Sequence, residues 1–221
     1  MWLRIPNVER IFVSGSTGYL GKPLVDKLVW NRFAVTCLVR PGRKCGGFPV
    51  VGDALDASSF QEAVPRGGTF VHLVGTPKPA PWKGRQFREV DQVALEASLR
   101  AAVAAEVKHF VYLSVAHPAP IMRDYISVRM ECEWMIRESG LNATFLRPWY
   151  VLGPGHWWPY ILKPLYSLAE SVNAQRENAL RLGLVTRDEM TSALLWATMN
   201  PASGVRTLDV PAIRALHSTN S

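Results

Sequence analysis

The sequence predicts a doubly wound α/β fold, in which a parallel β-sheet carries helices on both faces. Short apolar, β-branched runs recur along the chain, and they are nearly continuous rather than alternating with polar residues. Strands that are buried on both faces of a parallel sheet have this pattern. Amphipathic segments separate the runs, as expected for helical crossovers between parallel strands. The length of 221 residues suits one domain of this kind.

Seven runs are candidate strands, and four segments between them are candidate helices. The strands are predicted at residues 11–14, 34–39, 48–51, 70–74, 110–114, 143–146 and 207–210. The helices are predicted at residues 18–30, 86–105, 124–139 and 187–199. The second helix has the clearest apolar stripe, formed by Phe87, Val90, Ala94, Ala97, Ala101 and Ala105. Gly140 follows the third helix, where a left-handed residue commonly ends a helix.

The composition changes after residue 147, where aromatic residues cluster among prolines. The cluster comprises Trp149, Tyr150, Trp157, Trp158, Tyr160 and Tyr166. The roughly seventy residues that remain are near the lower limit for an independent core, so we predict one domain over residues 1–221, with residues 148–221 contributing a small C-terminal cap. The aromatic cluster has three interpretations: the core of this cap, a lid on an apolar substrate pocket, or a surface that docks on a partner or a membrane face.

Charge and cysteine content narrow the class of protein. The net charge is +7, but the aromatic residues are not interleaved with basic ones, so no nucleic-acid partner is predicted. Cys37, Cys45 and Cys132 are odd in number and widely spaced, which predicts neither a disulfide framework nor a metal site. No stretch has the roughly 18 to 20 apolar residues of a membrane span and the first residues lack the apolar region of a signal peptide, so we predict a cytoplasmic protein.

A glycine-rich segment follows the first predicted strand and opens the first predicted helix. Glycine allows a tight turn, close approach of the backbone to a pyrophosphate, and close packing of helix on strand. The N-terminus of the helix offers free N–H groups to the anion. Since the strand, the G-x-x-G-x-x-G spacing and the helix occur in this order, we predict a dinucleotide-binding loop made of Gly15, Ser16, Thr17, Gly18, Tyr19, Leu20 and Gly21.

The residues that discriminate between NADP and NAD are expected about twenty residues beyond the last glycine. Arg40 stands there, followed by Arg43 and Lys44, and no carboxylate occurs among them. A ribose 2′-hydroxyl is bound by an acidic acceptor, whereas a 2′-phosphate is bound by guanidinium donors. The sequence therefore favours NADP(H), with NAD as the alternative cofactor. The other interpretation of these cations is that they only solvate a strand end.

Several segments together resemble the atypical and extended branches of the short-chain dehydrogenase/reductase superfamily. They are GSTGYLG, Gly52-Asp53, Leu73-Val74-Gly75, Leu113-Ser114, Tyr125-x-x-x-Arg129 and SGLNATFLRPWYVLGPG, which keep the order and spacing of the family over about residues 10–155. Between Leu184 and Arg214, GLVTRDEM and LDVPAIR are similar to a subgroup that includes NmrA-like regulators and the NADPH-binding accessory subunit of respiratory complex I. The resemblance implies a Rossmann-like fold, and it permits a homodimer.

The resemblance also implies roles for individual residues around the cofactor. Asp53 would bind the adenine amino group, although an aspartate at this place also commonly caps its own turn. Val74 and Gly75 would flank the ribose and the pyrophosphate. The residues beside the nicotinamide would be Pro148, Trp149, Tyr150 and Val151.

The candidate catalytic residues are Tyr125, Ser114 and Arg129. Carbonyl reduction needs a proton donor beside the forming alkoxide, and Tyr125 is the candidate. Arg129 lies four residues further along the same predicted helix, so it would place a cation on the same face. Ser114 would orient the substrate oxygen. The family has lysine where this chain has Arg129, and arginine cannot take part in a proton relay. The alternative interpretation is a helix start without chemistry.

The remaining ionisable residues add little to this site. His72 and His109 are predicted to be core or strand-end residues, and no cluster of histidine, cysteine or carboxylate residues predicts a metal site. His117 is a candidate to face the substrate, because it lies close in sequence to Ser114.

Two main hypotheses follow for the function. The first is an NADP(H)-dependent oxidoreductase that acts on a small apolar carbonyl, quinone-like or flavin-like substrate. The second is a non-catalytic NADP(H)-binding redox sensor or accessory subunit, in keeping with the arginine at position 129. A nucleotide-sugar epimerase or dehydratase is a weaker third, because little chain is left to enclose a sugar nucleotide.

Overall fold

The protein is described by a computed structural model that covers residues 9–77, 79–119, 122–152 and 182–218. Seven parallel strands form the main sheet in the order β3-β2-β1-β4-β5-β6-β9. The order reverses between β1 and β4, which creates the crevice at the carboxyl ends of the strands where doubly wound folds bind their ligands. This sheet, with helices packed against it, confirms the predicted fold class.

The strands of the main sheet are β1 (Arg10–Ser14), β2 (Ala34–Val39), β3 (Phe48–Val51), β4 (Thr69–His72), β5 (His109–Leu113), β6 (Ala143–Leu146) and β9 (Val205–Leu208). Strands β7 (Tyr150–Leu152) and β8 (Leu184–Thr186) pair in a separate two-stranded parallel sheet. The helices are α1 (Gly21–Trp30), α2 (Gly84–Gln86), α3 (Val93–Ala104), α4 (Arg123–Glu138), α5 (Arg187–Met199) and α6 (Val210–Ser218), and a π-helix (Phe87–Gln92) joins α2 to α3.

Each face of the main sheet has its own core. On one face, aromatic residues of neighbouring strands are in register: Phe12 pairs with Phe70 and Phe70 with Phe110, at ring-centroid distances of 4.9 and 5.2 Å. Helices α3 and α4 cover this aromatic face. Helices α1 and α5 cover an aliphatic face that includes Val13 and Val71. Because both faces are buried, the strands lack polar alternation, as the sequence pattern indicates.

Most element boundaries differ from the predicted ones by only a few residues. Helix α1 begins at Gly21 rather than at residue 18, because the glycine-rich loop occupies the preceding residues. The predicted helix at 86–105 contains the π-helix, where wider turns replace the regular spacing. Strand β9 lies two residues earlier than predicted. Strands β7 and β8 are absent from the prediction, since they have only three residues each. Helix α6 is also absent from the prediction.

The C-terminal region contributes to the main layers. Strand β9 is the edge strand beside β6, and α5 and α6 supply residues to the aliphatic core. Residues 153–181 lie outside the described residues, so the predicted cap over residues 148–221 stays a prediction for this segment. The segment contains four residues of the aromatic cluster, Trp157, Trp158, Tyr160 and Tyr166. Among the helices that the structure describes, none is long and apolar enough to cross a membrane.

Candidate functional site

The glycine-rich loop connects β1 to α1 at the reversal of strand order. Gly15 has φ +76°, and a Cβ atom there would lie 2.8 Å from the carbonyl carbon of Leu73. A Cβ atom on Gly21 would overlap the carbonyl oxygen of Gly15, to which the N–H of Gly18 donates at 3.0 Å. Glycine is therefore required by the backbone at both ends of the loop. This cradle leaves the backbone accessible to a ligand and fits a dinucleotide pyrophosphate.

The first turn of α1 has the electrostatics of an anion site. Its N-cap residue, Leu20, provides no side-chain cap, and no acidic residue lies in the first turn. The positive end of the helix dipole is therefore open to an external anion, although the Lys22 N–H already donates to the Gly18 carbonyl oxygen at 3.1 Å and Pro23 has no N–H. The Ser16 hydroxyl is not part of this site, because it is buried and donates to the carbonyl oxygen of Leu38 at 2.7 Å.

A cavity of about 510 Å³ lies between the glycine-rich loop, α1 and the segment that follows β2. Its lining includes Ser16, Thr17, Lys22, Val25, Asp26, Gly42, Arg43, Lys44, Cys45 and Gly46. Lys22 and Asp26 neutralise each other in an ion pair of 2.7 Å. Arg43 and Lys44 form no ion pair with any described residue, so the cavity has an excess of positive charge. Arg40 is exposed and does not line the cavity, although the N–H of Arg43 donates to its carbonyl oxygen at 3.0 Å.

The predicted adenine and ribose contacts lie at the ends of neighbouring strands. Asp53 follows β3, is exposed, and accepts a hydrogen bond from the N–H of Leu55 at 3.0 Å, so it caps its own turn. Val74 and Gly75 follow β4 and are half-buried. A Cβ atom on Gly75 would overlap the guanidinium of Arg129, which places that side chain at the carboxyl end of β4.

Arg129 is bound inside the protein rather than free to contact a ligand. Its Nη2 donates to Asp91 Oδ1 at 2.6 Å, and its Nη1 donates to the carbonyl oxygen of Leu113 at 2.9 Å and to the Tyr112 hydroxyl at 3.2 Å. Both members of the ion pair are almost completely buried. Thr76 fixes the other carboxylate oxygen of Asp91 through its backbone N–H (2.9 Å) and its hydroxyl (2.6 Å).

Tyr125 lies on the same helix face as Arg129, as predicted. The guanidinium carbon of Arg129 is 5.1 Å from the centroid of the Tyr125 ring, and the Phe87 ring packs at 4.9 Å. Burial raises the pKa of Tyr125 above its usual value, and the positive charge of Arg129 offsets only part of this rise. The phenol therefore stays protonated at neutral pH and is not activated as a base.

Ser114 belongs to a second buried cluster, centred on Glu133 of α4. The Ser114 hydroxyl donates to Glu133 Oε1 at 2.6 Å, and Arg147 donates from Nε to the same oxygen at 2.8 Å and from Nη2 to Oε2. Arg137 lies 3.2 Å and His117 3.7 Å from this carboxylate. Burial alone would raise the pKa of Glu133, but the bonds from Arg147 and Ser114 lower it, so Glu133 is ionised and holds the hydroxyl proton of Ser114.

Within the described part of the chain, no hydrogen bond joins Tyr125 to Ser114. Ser114 follows β5, whereas Tyr125 and Arg129 lie on α4. Arg129 belongs to the network centred on Asp91, with the Tyr125 ring packed beside it, and Ser114 belongs to the network centred on Glu133. The predicted nicotinamide neighbours follow β6: Pro148 is buried and its carbonyl oxygen accepts from Ala116 at 2.9 Å, Trp149 is half-buried, and Tyr150 and Val151 lie in β7.

Sequence reasoning missed Asp91, Thr76, Glu133 and Arg147. One signal marks Asp91: it lies four residues after Phe87 and three before Ala94, on the apolar stripe, so a carboxylate there needs a buried partner. The i,i+4 spacing of Glu133 and Arg137 is visible in the sequence, but the other partners of Glu133, which are Ser114, His117 and Arg147, come from loops that follow β5 and β6. The predictions for His72 and His109 are confirmed: both are fully buried, and burial lowers their pKa to about 3 and about 4. No metal-binding cluster occurs among the residues described.

Residues 15–154 match the model of a family described as NAD(P)H-binding. The chain is 26% identical to ceramide reductase from Caulobacter vibrioides over 151 residues, which is 66% of this chain and 47% of the relative. It is 28% identical to photosystem II assembly factor Ycf39 from Cyanophora paradoxa over 145 residues, which is 62% of this chain and 44% of that protein. The chain thus spans about half the length of these curated relatives.

Solved structures share the fold at low sequence identity. A short-chain dehydrogenase/reductase superfamily protein from Agrobacterium tumefaciens with bound NAD is similar at a TM-score of 0.67 and 20% identity, covering 94% of this chain and 81% of the other. UDP-N-acetylglucosamine 4-epimerase from Bacillus cereus has a TM-score of 0.67 at 18% identity, covering 91% and 79%. The family match covers more than half of the chain and contains the glycine cradle, so the protein belongs to the NAD(P)H-binding family and has the Rossmann-like fold of the short-chain dehydrogenase/reductases.

Proposed function

We propose that the protein binds NADP(H) as a redox-responsive sensor or accessory subunit, without reducing carbonyl substrates through Tyr125. The observation that carries this proposal is the buried pair of Arg129 with Asp91. A guanidinium that is bound to a carboxylate, a backbone carbonyl and a tyrosine hydroxyl supplies no proton and keeps little freedom to bind a cofactor ribose.

Two further observations support a site that binds without catalysis. The Ser114 hydroxyl donates a hydrogen bond to the ionised Glu133, so it is not free to donate one to a substrate oxygen. The pKa of Tyr125 is raised rather than lowered. General acid catalysis is most effective when the pKa of the donor lies near the working pH, and the raised pKa of Tyr125 departs from that condition.

The cavity beside the glycine-rich loop supports NADP(H) over NAD(H). Thr17 comes from the loop itself, and Arg43 and Lys44 lie on the segment after β2, where the adenosine ribose is bound in this fold. Two cations without acidic partners among the described residues suit the dianionic 2′-phosphate and offer nothing that selects a neutral hydroxyl. Arg43 and Lys44 therefore replace Arg40 as the leading candidates for this contact.

Cofactor preference can be tested by titrating the protein with NADPH and NADH and following the quenching of tryptophan fluorescence. Replacing Arg43 and Lys44 together by alanine should weaken NADPH binding by about a hundredfold or more, because each of the two charge-assisted bonds contributes on the order of 1.5–3 kcal/mol. NADH binding should stay within about twofold. Arg100→Ala, an exposed position on α3, is the matched control for loss of charge. Equal loss of NADPH and NADH in the double variant would refute the assignment.

The second candidate function is an NADP(H)-dependent oxidoreductase, which is favoured by the half-buried Tyr125 beside the cation of Arg129. Its substrate would be a small apolar carbonyl, a quinone-like or a flavin-like compound. NADPH would supply the hydride, and Tyr125 would donate its proton to the forming alkoxide. The name of the Caulobacter relative, ceramide reductase, also supports this candidate.

Turnover separates the two candidates. The wild-type protein and Tyr125→Phe should bind NADPH equally, and both should oxidise it at the buffer rate when carbonyls, quinones and flavins are added. Substrate-dependent oxidation by the wild type that is lost in Tyr125→Phe would establish the oxidoreductase instead. Arg129→Lys, which restores the family residue, is the informative companion, since a gain of activity there would locate the block at position 129.

A further inference from the structure

Arg187 is the first residue of α5, and it lies against the glycine-rich loop. Strand β8 ends at Thr186, whose side chain caps the helix together with Glu189. The guanidinium carbon of Arg187 lies 5.7 Å from the centroid of the Tyr19 ring. Tyr19 lies between Gly18 and Gly21 in the glycine-rich loop. The positive charge of Arg187, which comes from the C-terminal part of the chain, is therefore separated from the loop backbone only by the Tyr19 side chain.

The guanidinium of Arg187 has no acidic partner in the part of the chain that the structure describes. The side chain forms no ion pair with any of the described residues. Its Nε is buried and has no hydrogen-bond acceptor in the described part of the chain. Glu189, two residues away, accepts from the Thr186 N–H at 2.6 Å and from its hydroxyl at 2.8 Å, and both bonds are made to its Oε2 oxygen. A buried donor without an acceptor is costly, which points to an acceptor supplied from outside.

We infer that Arg187 binds the pyrophosphate of the dinucleotide, with the Tyr19 ring as the platform that orients its guanidinium. This inference rests on the proposed cofactor binding and adds a residue that the glycine motif does not contain. The planar fork of arginine suits the paired oxygens of a phosphate, and stacking on an aromatic ring holds that fork in place. Arg187 is not among the residues that line the cavity with Arg43 and Lys44, so we assign it to the pyrophosphate and the other two residues to the 2′-phosphate.

The experiment uses ligands that carry one phosphate site or the other. ADP-ribose contains the pyrophosphate and lacks the 2′-phosphate, whereas adenosine 2′-monophosphate contains only the latter. Calorimetric titration of the full chain with ADP-ribose, NADH, NADPH and adenosine 2′-monophosphate would compare wild type with Arg187→Met, which keeps the aliphatic stem and removes the charge. Arg100→Met is the matched control on α3. Arg187→Lys keeps the charge and loses the fork.

Arg187→Met should weaken ADP-ribose, NADH and NADPH by a common factor of about ten or more, as expected for the loss of one charge-assisted contact. Binding of adenosine 2′-monophosphate should stay unchanged, which also shows that the variant is folded. Arg187→Lys should lose less than Arg187→Met. ADP-ribose binding that is unaffected in Arg187→Met overturns the inference, as does a loss confined to the 2′-phosphate ligands. If Arg187 binds an anionic substrate instead of the cofactor, ADP-ribose binding will be unaffected in Arg187→Met. A wild type that binds none of the four ligands overturns the cofactor proposal as well.

Discussion

Arg129 and Asp91 form an ion pair of 2.6 Å, with 5% and 0% of their side chains exposed. The pair joins α4 to the π-helix beneath Gly75, at the place where the family resemblance implies a lysine that serves the cofactor. Lysine could not reproduce this arrangement, because a single ammonium group lacks the rigid fork that contacts Asp91, Leu113 and Tyr112 together. In this chain, Arg129 has a structural role at the position where the family resemblance implies a lysine that serves the cofactor.

The first prediction concerns the stability contributed by this pair. Arg129→Met should lower the free energy of unfolding by about 3–5 kcal/mol, because it leaves the buried Asp91 carboxylate without its partner. Arg85→Met removes an exposed partner of Glu89 and should leave the stability unchanged. Chemical denaturation followed by tryptophan fluorescence gives both values. If Arg129→Met were no less stable than Arg85→Met, the buried pair would have no structural role.

The second prediction concerns the protonation of Tyr125. Because burial raises its pKa above 10.0, Tyr125 should remain protonated at pH 9.5, and so should Tyr112, whose pKa is also raised by burial. Absorbance at 295 nm during an alkaline titration reports tyrosine ionisation. The curves of wild type and Tyr125→Phe should coincide up to about pH 10, the usual pKa of tyrosine. A transition near neutral pH that disappears in the variant would mean that Tyr125 is activated for catalysis.

Local patterns predicted the strands and the glycine-rich loop, because hydrophobic runs and glycine spacing depend on neighbouring residues. The networks around Asp91 and Glu133 depend on pairings over long separations: Arg129 is 38 residues from Asp91, and Arg147 is 14 residues from Glu133. A single sequence does not record which charges of distant segments meet in the folded protein. Tyr125 and Arg129 were correctly placed on one helix face by their spacing, but what binds the guanidinium depends on the π-helix that presents Asp91.

The third prediction uses the cysteines to probe the cavity. Cys45 lines the cavity, whereas Cys37 and Cys132 are buried, and burial raises their pKa to about 12 and about 11. A maleimide at pH 7.5 should therefore modify one thiol in the native protein, and NADPH should protect it. Mass spectrometry of the intact protein counts the modified thiols, and Cys45→Ser is the control that should remain unmodified. Modification at the same rate with saturating NADPH would place the cofactor elsewhere.

The last prediction concerns the stability of the fold in mild acid. His109 is fully buried, its Nε2 lies 2.9 Å from the Thr144 hydroxyl, and its pKa is lowered to about 4 by burial and by the nearby charges of Arg206 and Lys108. Because the unfolded chain binds a proton near pH 6.5 and the folded protein does not, the stability contributed by neutral His109 is complete above pH 6.5 and is lost as the pH falls towards 4. The slope should approach about 1.4 kcal/mol per pH unit for this proton.

His72 has the same sign, since burial lowers its pKa to about 3, so two protons contribute to the loss of stability below pH 6.5. His109→Asn keeps a polar group beside Thr144 and cannot titrate, so it should remove about half of the pH dependence that the two histidines cause between pH 6.5 and 4.5. Urea denaturation at several pH values, with the exposed-site variant Arg100→Ala as control, measures this slope. An unchanged slope in His109→Asn would show that His109 is already protonated in the folded state. The acid sensitivity would then have to come from the carboxylates, which become protonated below about pH 4.5.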